Sequence, residues 1–213
     1  MASSICAGRL REAWTVQAHG DVIDDVAWNP TGMTFATAGW DGTVRLWYTR
    51  DMQEVGRFEE HTGPVHDLAW NPDGTVLVSL GWDDTAMIWE VSRGGPGTRW
   101  DQHMGWIGAV GWTADGHVTS ASLDRRVRTW DPATGALLSV VPGTIAPASL
   151  PAASPDGARE VDIDEGGIVR VTAAAGGAVI ATLPGRANAA AWSPDGGQLA
   201  VAARDGTIVV WSE

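Results

Sequence analysis

The sequence predicts an all-β chain assembled from repeated units, and three observations predict it. The stretch 19–47 recurs at 61–89 and again, one residue shorter, at 103–130, so that His19, His61 and His103 follow one another at intervals of 42 residues. Short apolar runs alternate with turns rich in Pro, Asp and Gly. No segment sustains the 3.6-residue period of an amphipathic helix. Repeats are sought first because a period of this length fixes the architecture as a whole.

Each unit reads in the same order. Strand one is VIDDVAW at 22–28, VHDLAW at 65–70, WIGAVGW at 106–112 and NAAAW at 188–192. It ends in the turn NPTG, NPDG, TADG, SPDG (154–157) or SPDG (193–196), where Pro presets φ and Gly supplies φ > 0. Strand two follows as TFATAG, VLVSLG, VTSAS or QLAVAA. A tight turn with WDG, WDD, LDR or RDG then leads into strand three, TVRLW, AMIW, VRTW or TIVVW. Two copies are weaker. The one around 153–172 keeps its Pro-Asp-Gly turn without the terminal Trp, and the one around 191–211 keeps both.

Composition narrows the partners. Thirteen tryptophans stand against one tyrosine and two phenylalanines, so the architecture asks for indole at recurring positions. The formal charge is −12 and every basic residue is Arg, a balance that gives no attractive field for nucleic acid or an anionic membrane. Absent Lys with abundant Ala, Gly and Arg fits a GC-rich, bacterial genome. Cys6 is the single cysteine and allows no intrachain disulfide. Residues 1–10 lack a signal-peptide core, and no apolar run nears the ~18 residues of a membrane helix. A cytoplasmic protein is the expectation.

With these residues in place, the units resemble the WD-repeat family, a resemblance that covers nearly the whole chain. The dipeptide closing strand three varies as Trp47-Tyr48, Trp89-Glu90, Trp130-Asp131 and Trp211-Ser212. The resemblance implies a five-bladed β-propeller of four-stranded antiparallel blades in one domain, 1–213, with repeats near 19–47, 61–89, 103–130, 144–172 and 183–211. It further implies that each outer strand comes from the start of the next repeat: 12–17, 54–58, 98–101, 136–140 and 178–183. The N-terminal strand then completes the fifth blade and shuts the ring, removing exposed edges. Family members more often have seven blades, so the alternative is a chain that pairs with itself or with another chain to complete a larger ring. A monomer and a module of a longer assembly both fit.

The resemblance also implies a hydrogen-bonded set of His, Ser/Thr, Asp and Trp inside each blade, in which buried polar groups satisfy one another. Residue by residue this gives His19, Thr37, Asp41 and Trp47; His61, Ser79, Asp83 and Trp89; and His103, Ser120, Asp124 and Trp130. Units four and five depart from it, with Thr144, Asp162, Gly166 and Thr172, then Leu183, Val201, Asp205 and Trp211. Those two blades are expected to rest on apolar packing. This structural role absorbs the histidines and turn aspartates. His61 with His66 is not taken as a metal pair, nor Asp83-Asp84 or Asp164-Glu165 as a carboxylate dyad. No metal, cofactor or catalytic residue is expected.

The remaining indoles point to a binding face. Trp28, Trp70, Trp112 and Trp192 end strand one and should pack between blades, and Trp14 and Trp100 lie on outer strands. Trp40 and Trp82 precede the turn Asp, and Trp106 precedes strand one, positions that the resemblance implies face the channel mouth. Asp24, His66 and Asn188 at the start of strand one, with Glu165 and Arg204 in later turns, would surround them. Clustered exposed aromatics are the usual anchors of recognition; packed caps on the blades are the competing role. The expected function is a non-catalytic scaffold that binds a peptide or protein on this face, the alternative being a carbohydrate-binding propeller. An enzyme is disfavoured because a glycosidase needs asymmetric acids. Asp25 and Asp67, the one recurring pair on the inner strands, match each other and read as repeat structure.

Overall fold

The computed structural model describes residues 10–92, 97–143, 152–174 and 177–212; Cys6 and Thr144 lie outside them. Among the described residues there are strands and no helix. β1 (Arg11–Gln17) precedes the first blade. Blade one is β2 (Ile23–Trp28), β3 (Thr34–Gly39), β4 (Val44–Tyr48) and β5 (Glu54–Phe58). Blade two is β6 (Val65–Trp70), β7 (Val76–Gly81), β8 (Ala86–Glu90) and β9 (Thr98–Trp100). Blade three is β10 (Ile107–Trp112), β11 (Val118–Ser122), β12 (Arg126–Trp130) and β13 (Leu137–Pro142). Blade four is β14 (Ala152–Ala153), β15 (Arg159–Ile163), β16 (Val169–Ala173) and β17 (Val179–Leu183). β18 (Ala187–Trp192), β19 (Gln198–Ala203) and β20 (Thr207–Ser212) begin blade five, and β1 completes it by pairing antiparallel with β20 from Arg11↔Ser212 to Gln17↔Thr207.

The result is five four-stranded antiparallel sheets, each an up-and-down meander, in the manner of a β-propeller. Strands one and two of a blade lie between neighbours and read as near-continuous apolar or small runs. β2, β6 and β18 share one burial pattern, as do β3, β7 and β19. Outer strands are wetter, yet each of four carries one inward residue against the next blade's strand-three Trp or its cluster. Phe58 stacks on Trp89 at 4.4 Å and Trp100 on Trp130 at 4.8 Å. Val16 packs in the cluster of Trp47, and Leu183 in that of Trp211. Trp100 is thus only 4% exposed, drier than its outer-strand place suggests.

Indoles at the end of strand one tie the blades together. Trp28 Nε1 donates to the Ala191 carbonyl at 2.9 Å, Trp70 Nε1 to Ala27 at 3.0 Å and Trp112 Nε1 to Ala69 at 3.1 Å. Blade four interrupts the series. The pairing Ala153↔Glu160 answers to Trp28↔Phe35, and Glu160↔Thr172 to Phe35↔Trp47, so both seam indoles are missing there. No strand of blade three packs extensively on a strand of blade four among the described residues. All six residues of β13 stand exposed. On the far side of blade four, Trp192 Nε1 is buried without an acceptor, and Arg159 covers the ring at 4.5 Å.

Candidate functional site

Three blades carry a polar core. In blade one, His19 Nδ1 lies 2.9 Å from Asp41, its Nε2 lies 2.7 Å from Thr37 Oγ1, and Trp47 Nε1 donates to the same hydroxyl at 3.0 Å. Facing a carboxylate, Nδ1 is the protonated nitrogen, so the Thr37 hydroxyl donates to Nε2. Blade two repeats this with His61, Asp83, Ser79 and Trp89 at 3.2, 2.8 and 2.9 Å, and blade three with His103, Asp124, Ser120 and Trp130 at 3.1, 2.7 and 2.8 Å. Gly39 and Gly81 leave room for the ring: a Cβ at either would collide with the imidazole and the carboxylate. Burial pushes the Asp41 carboxyl up but is outweighed by hydrogen bonds from His19 and Thr43, which bring it down to about 2. The same balance lowers Asp83 and Asp124. At His19 and His103 burial outweighs the hydrogen bonds to Asp41 and Asp124 and lowers both imidazoles below the ordinary histidine value.

Among the described residues, units four and five lack this core. Val201 stands where Thr37 stands, and Trp211 Nε1 is accordingly buried with no acceptor. Asp205 turns its Oδ1 to Thr207 instead of to a histidine.

The candidate recognition residues are aimed by one repeated irregularity. The β2–β3 register skips a residue between Ile23 and Asp25, β6–β7 between Val65 and Asp67, β10–β11 between Ile107 and Ala109, and β18–β19 between Ala187 and Ala189. The unpaired residues are Asp24, His66, Gly108 and Asn188. A bulge of this kind re-aims a side chain, and those of Asn188 and His66 reach the neighbouring blade. Asn188 Nδ2 donates to the Ile23 carbonyl at 3.1 Å and to Asp24 Oδ1 at 3.4 Å. Arg204 Nε donates to Asn188 Oδ1 at 2.8 Å. Burial raises the Asp24 carboxyl, against a hydrogen bond from Trp40 and the charge of Arg204.

From Asp24 the surface continues into the aromatics. Trp40 and Trp82 lie 5.3 Å apart at 50°, and are 38% and 51% exposed. Trp106, 37% exposed, packs instead on His66 at 5.0 Å. Burial pushes His66 down to about 4, and its Nε2 has no partner. Seven of the eight candidate residues therefore fall into two groups: Arg204, Asn188, Asp24, Trp40 and Trp82 over blades five, one and two, and His66 with Trp106 over blades two and three. Glu165 stands apart, exposed in the turn between β15 and β16, with no hydrogen bond or ion pair to the others among the described residues.

Asp25 and Asp67 go beyond repetition. Leu68 N lies 2.9 Å from Asp25 Oδ2 and 3.0 Å from Asp67 Oδ1, so one amide serves carboxylates from adjacent blades. Asp67 Oδ2 in turn accepts from Val110 N at 3.1 Å. Burial and the neighbouring carboxylate raise Asp25, and burial raises Asp67. The matching positions in blades three and five are Ala109 and Ala189. Each acid staples its blade to the next, a contact between units that spacing within one unit does not reveal. Among the described residues no group of three potential metal ligands occurs; His61 is held by Ser79 and Asp83, and His66 by the Ile107 backbone and Trp106.

The chain matches the family model described as WD domain, G-beta repeat, over residues 11–48, 52–90 and 177–212. No curated protein matches it. The matched residues fall in blades one, two and five and in β17, the outer strand of blade four.

Proposed function

The chain belongs to the WD40 family, and from that premise we propose that it is a non-catalytic scaffold whose top face holds a peptide segment of a partner protein. Repeats of this family generally mediate protein–protein interaction. The observation that carries the proposal here is the half-exposed Trp40–Trp82 pair, joined through Asp24 and Asn188 to Arg204. Large indoles that stay in water beside hydrogen-bonding groups supply anchor area at low entropic cost. Tilted at 50°, the two rings form a wedge that grips a side chain, where a sugar ring prefers a flat platform.

Trp40→Ala with Trp82→Ala separates recognition from packing. Partner capture from a host extract should disappear while the melting temperature of the purified protein stays within a few degrees of wild type. A large fall in melting temperature with capture retained would show that the indoles are caps. A glycan array that binds the wild type and not this variant would transfer the face to carbohydrate.

A further inference from the structure

A cavity of about 340 Å³ opens in blade five. Its floor is Ala187, Val201 and Ala203, all buried. Arg186, Arg204 and Asp205 stand exposed around its mouth. Its place in the fold explains its existence. Ala203 and Val201 occupy the positions of Gly39 and Thr37, beside which the His19 ring sits in blade one. Leu183 does not hold the histidine's place: it pairs with Val169 as Phe58 pairs with Val44. Only residues 184–186 separate it from β18, where 59–64 separate Phe58 from β6, so the loop that carries the histidine is cut short and the space between strands is left open to solvent and lined by methyl groups.

The mouth is cationic on balance. Arg186 directly precedes strand one, the position Trp106 holds in blade three, and Arg204 holds the turn position of Trp40 and Trp82. Arg45, Arg57, Arg128 and Arg170 all have a carboxylate in ion-pair reach. Arg186 and Arg204 have none among the described residues, and Arg204 engages only its Nε, with Asn188. Asp205 is held ionised by Thr207, which occupies its Oδ1, so the rim carries two positive charges against one negative. The same Arg204 begins the run through Asn188 and Asp24 to Trp40, which makes the cavity and the aromatic pair two ends of one surface.

We infer that this cavity is a carboxylate subsite of the peptide-binding face, taking a group that joins a short aliphatic stem to a carboxylate: a Glu side chain or the end of a chain with an aliphatic last residue. The stem lies on the apolar floor and the carboxylate meets the two guanidinium groups, a pairing that Arg geometry favours. This rests on the peptide reading of the face above.

The test uses an array of random dodecapeptides anchored at their N-termini, probed with the purified full chain. Bound sequences should be enriched in Glu or in aliphatic residues at the free end. For the strongest binder, Glu→Gln or amidation of the terminus should weaken binding at least about tenfold, and which of the two does so identifies the source of the carboxylate. In the double variant Arg186→Met, Arg204→Met, melting like wild type, that difference should vanish. Binding without carboxylate preference, unchanged in the double variant but lost in Trp40→Ala with Trp82→Ala, overturns the subsite and leaves the peptide face standing. An array on which the wild type binds nothing overturns the peptide reading and the subsite with it.

Discussion

Blades one and five share their burial pattern through strands one and two, yet they are held by different chemistry. In blade one a histidine, a threonine and an aspartate close a network around the Trp47 indole. In blade five the same strands enclose methyl groups and a cavity, and the Trp211 N–H is stranded. The backbone arrangement is thus set by turns and by apolar strand faces, with the polar core added on top of it. The family match makes the same point: it covers blade five, which lacks the core, through strands and turns that blade five retains.

Removing the strand that blade five borrows should break the comparison most completely. Deleting residues 1–18 takes away β1, which pairs along the whole of β20, and with it Val16. The bared β20 edge should drive aggregation, seen as light scattering and loss of the monomer on size exclusion. Wild-type behaviour after the deletion would refute a fifth blade completed from the N-terminus.

Next in size is Ser79→Ala. It deprives both His61 Nε2 and the Trp89 N–H of their partner in a buried site, at a cost of about 2–4 kcal/mol in chemical denaturation. The matching change in blade five, Val201→Ala, removes only methyl groups beside an existing cavity and should cost about 1 kcal/mol. Equal losses would mean that the polar core does not distinguish the blades.

A pH comparison sharpens the role of the acid staples that blade five lacks. The Asp25 carboxyl is raised in the folded chain by burial and by Asp67, with Asp24 adding to it. It therefore keeps its proton where the unfolded chain has already ionised. Its stabilising contribution is greatest below the ordinary carboxylate value and is lost as pH rises toward the raised one. The melting temperature of Asp25→Asn relative to wild type should accordingly climb between pH 5 and pH 8, and a flat difference would refute the raised carboxyl.

The smallest effect is a gain. Val201→Thr keeps the shape of the side chain and offers a hydroxyl to Trp211 Nε1, which should stabilise by about 1 kcal/mol in the same denaturation assay.

Much of this was legible in the sequence. Turns of the Pro-Asp-Gly type and strands ending in Trp marked the units, and the outer strands fall where the offset between repeat and blade puts them, at 54–58 and 179–183 among others. The residues of the polar cores could be named because the family resemblance assigns them to positions at a fixed spacing within a unit. What spacing cannot give is contact between units. The shared Leu68 amide, the Trp40–Trp82 wedge and the pairing of Trp106 with His66 all join different blades. The cavity of blade five was hidden for a different reason: it follows from the loop shortened to residues 184–186 and from volume that Val201 fails to fill.

The bulge at the start of strand one has one more consequence. Because positions 24, 66, 108 and 188 are already out of the ladder, exchanging the side chain there disturbs no pairing between strands. The chain holds Asp, His, Gly and Asn at these places on otherwise similar blades. They behave like interchangeable keys on one keyring: on the proposed face, specificity would be rewritten one residue at a time in these four blades while the scaffold beneath stays as it is.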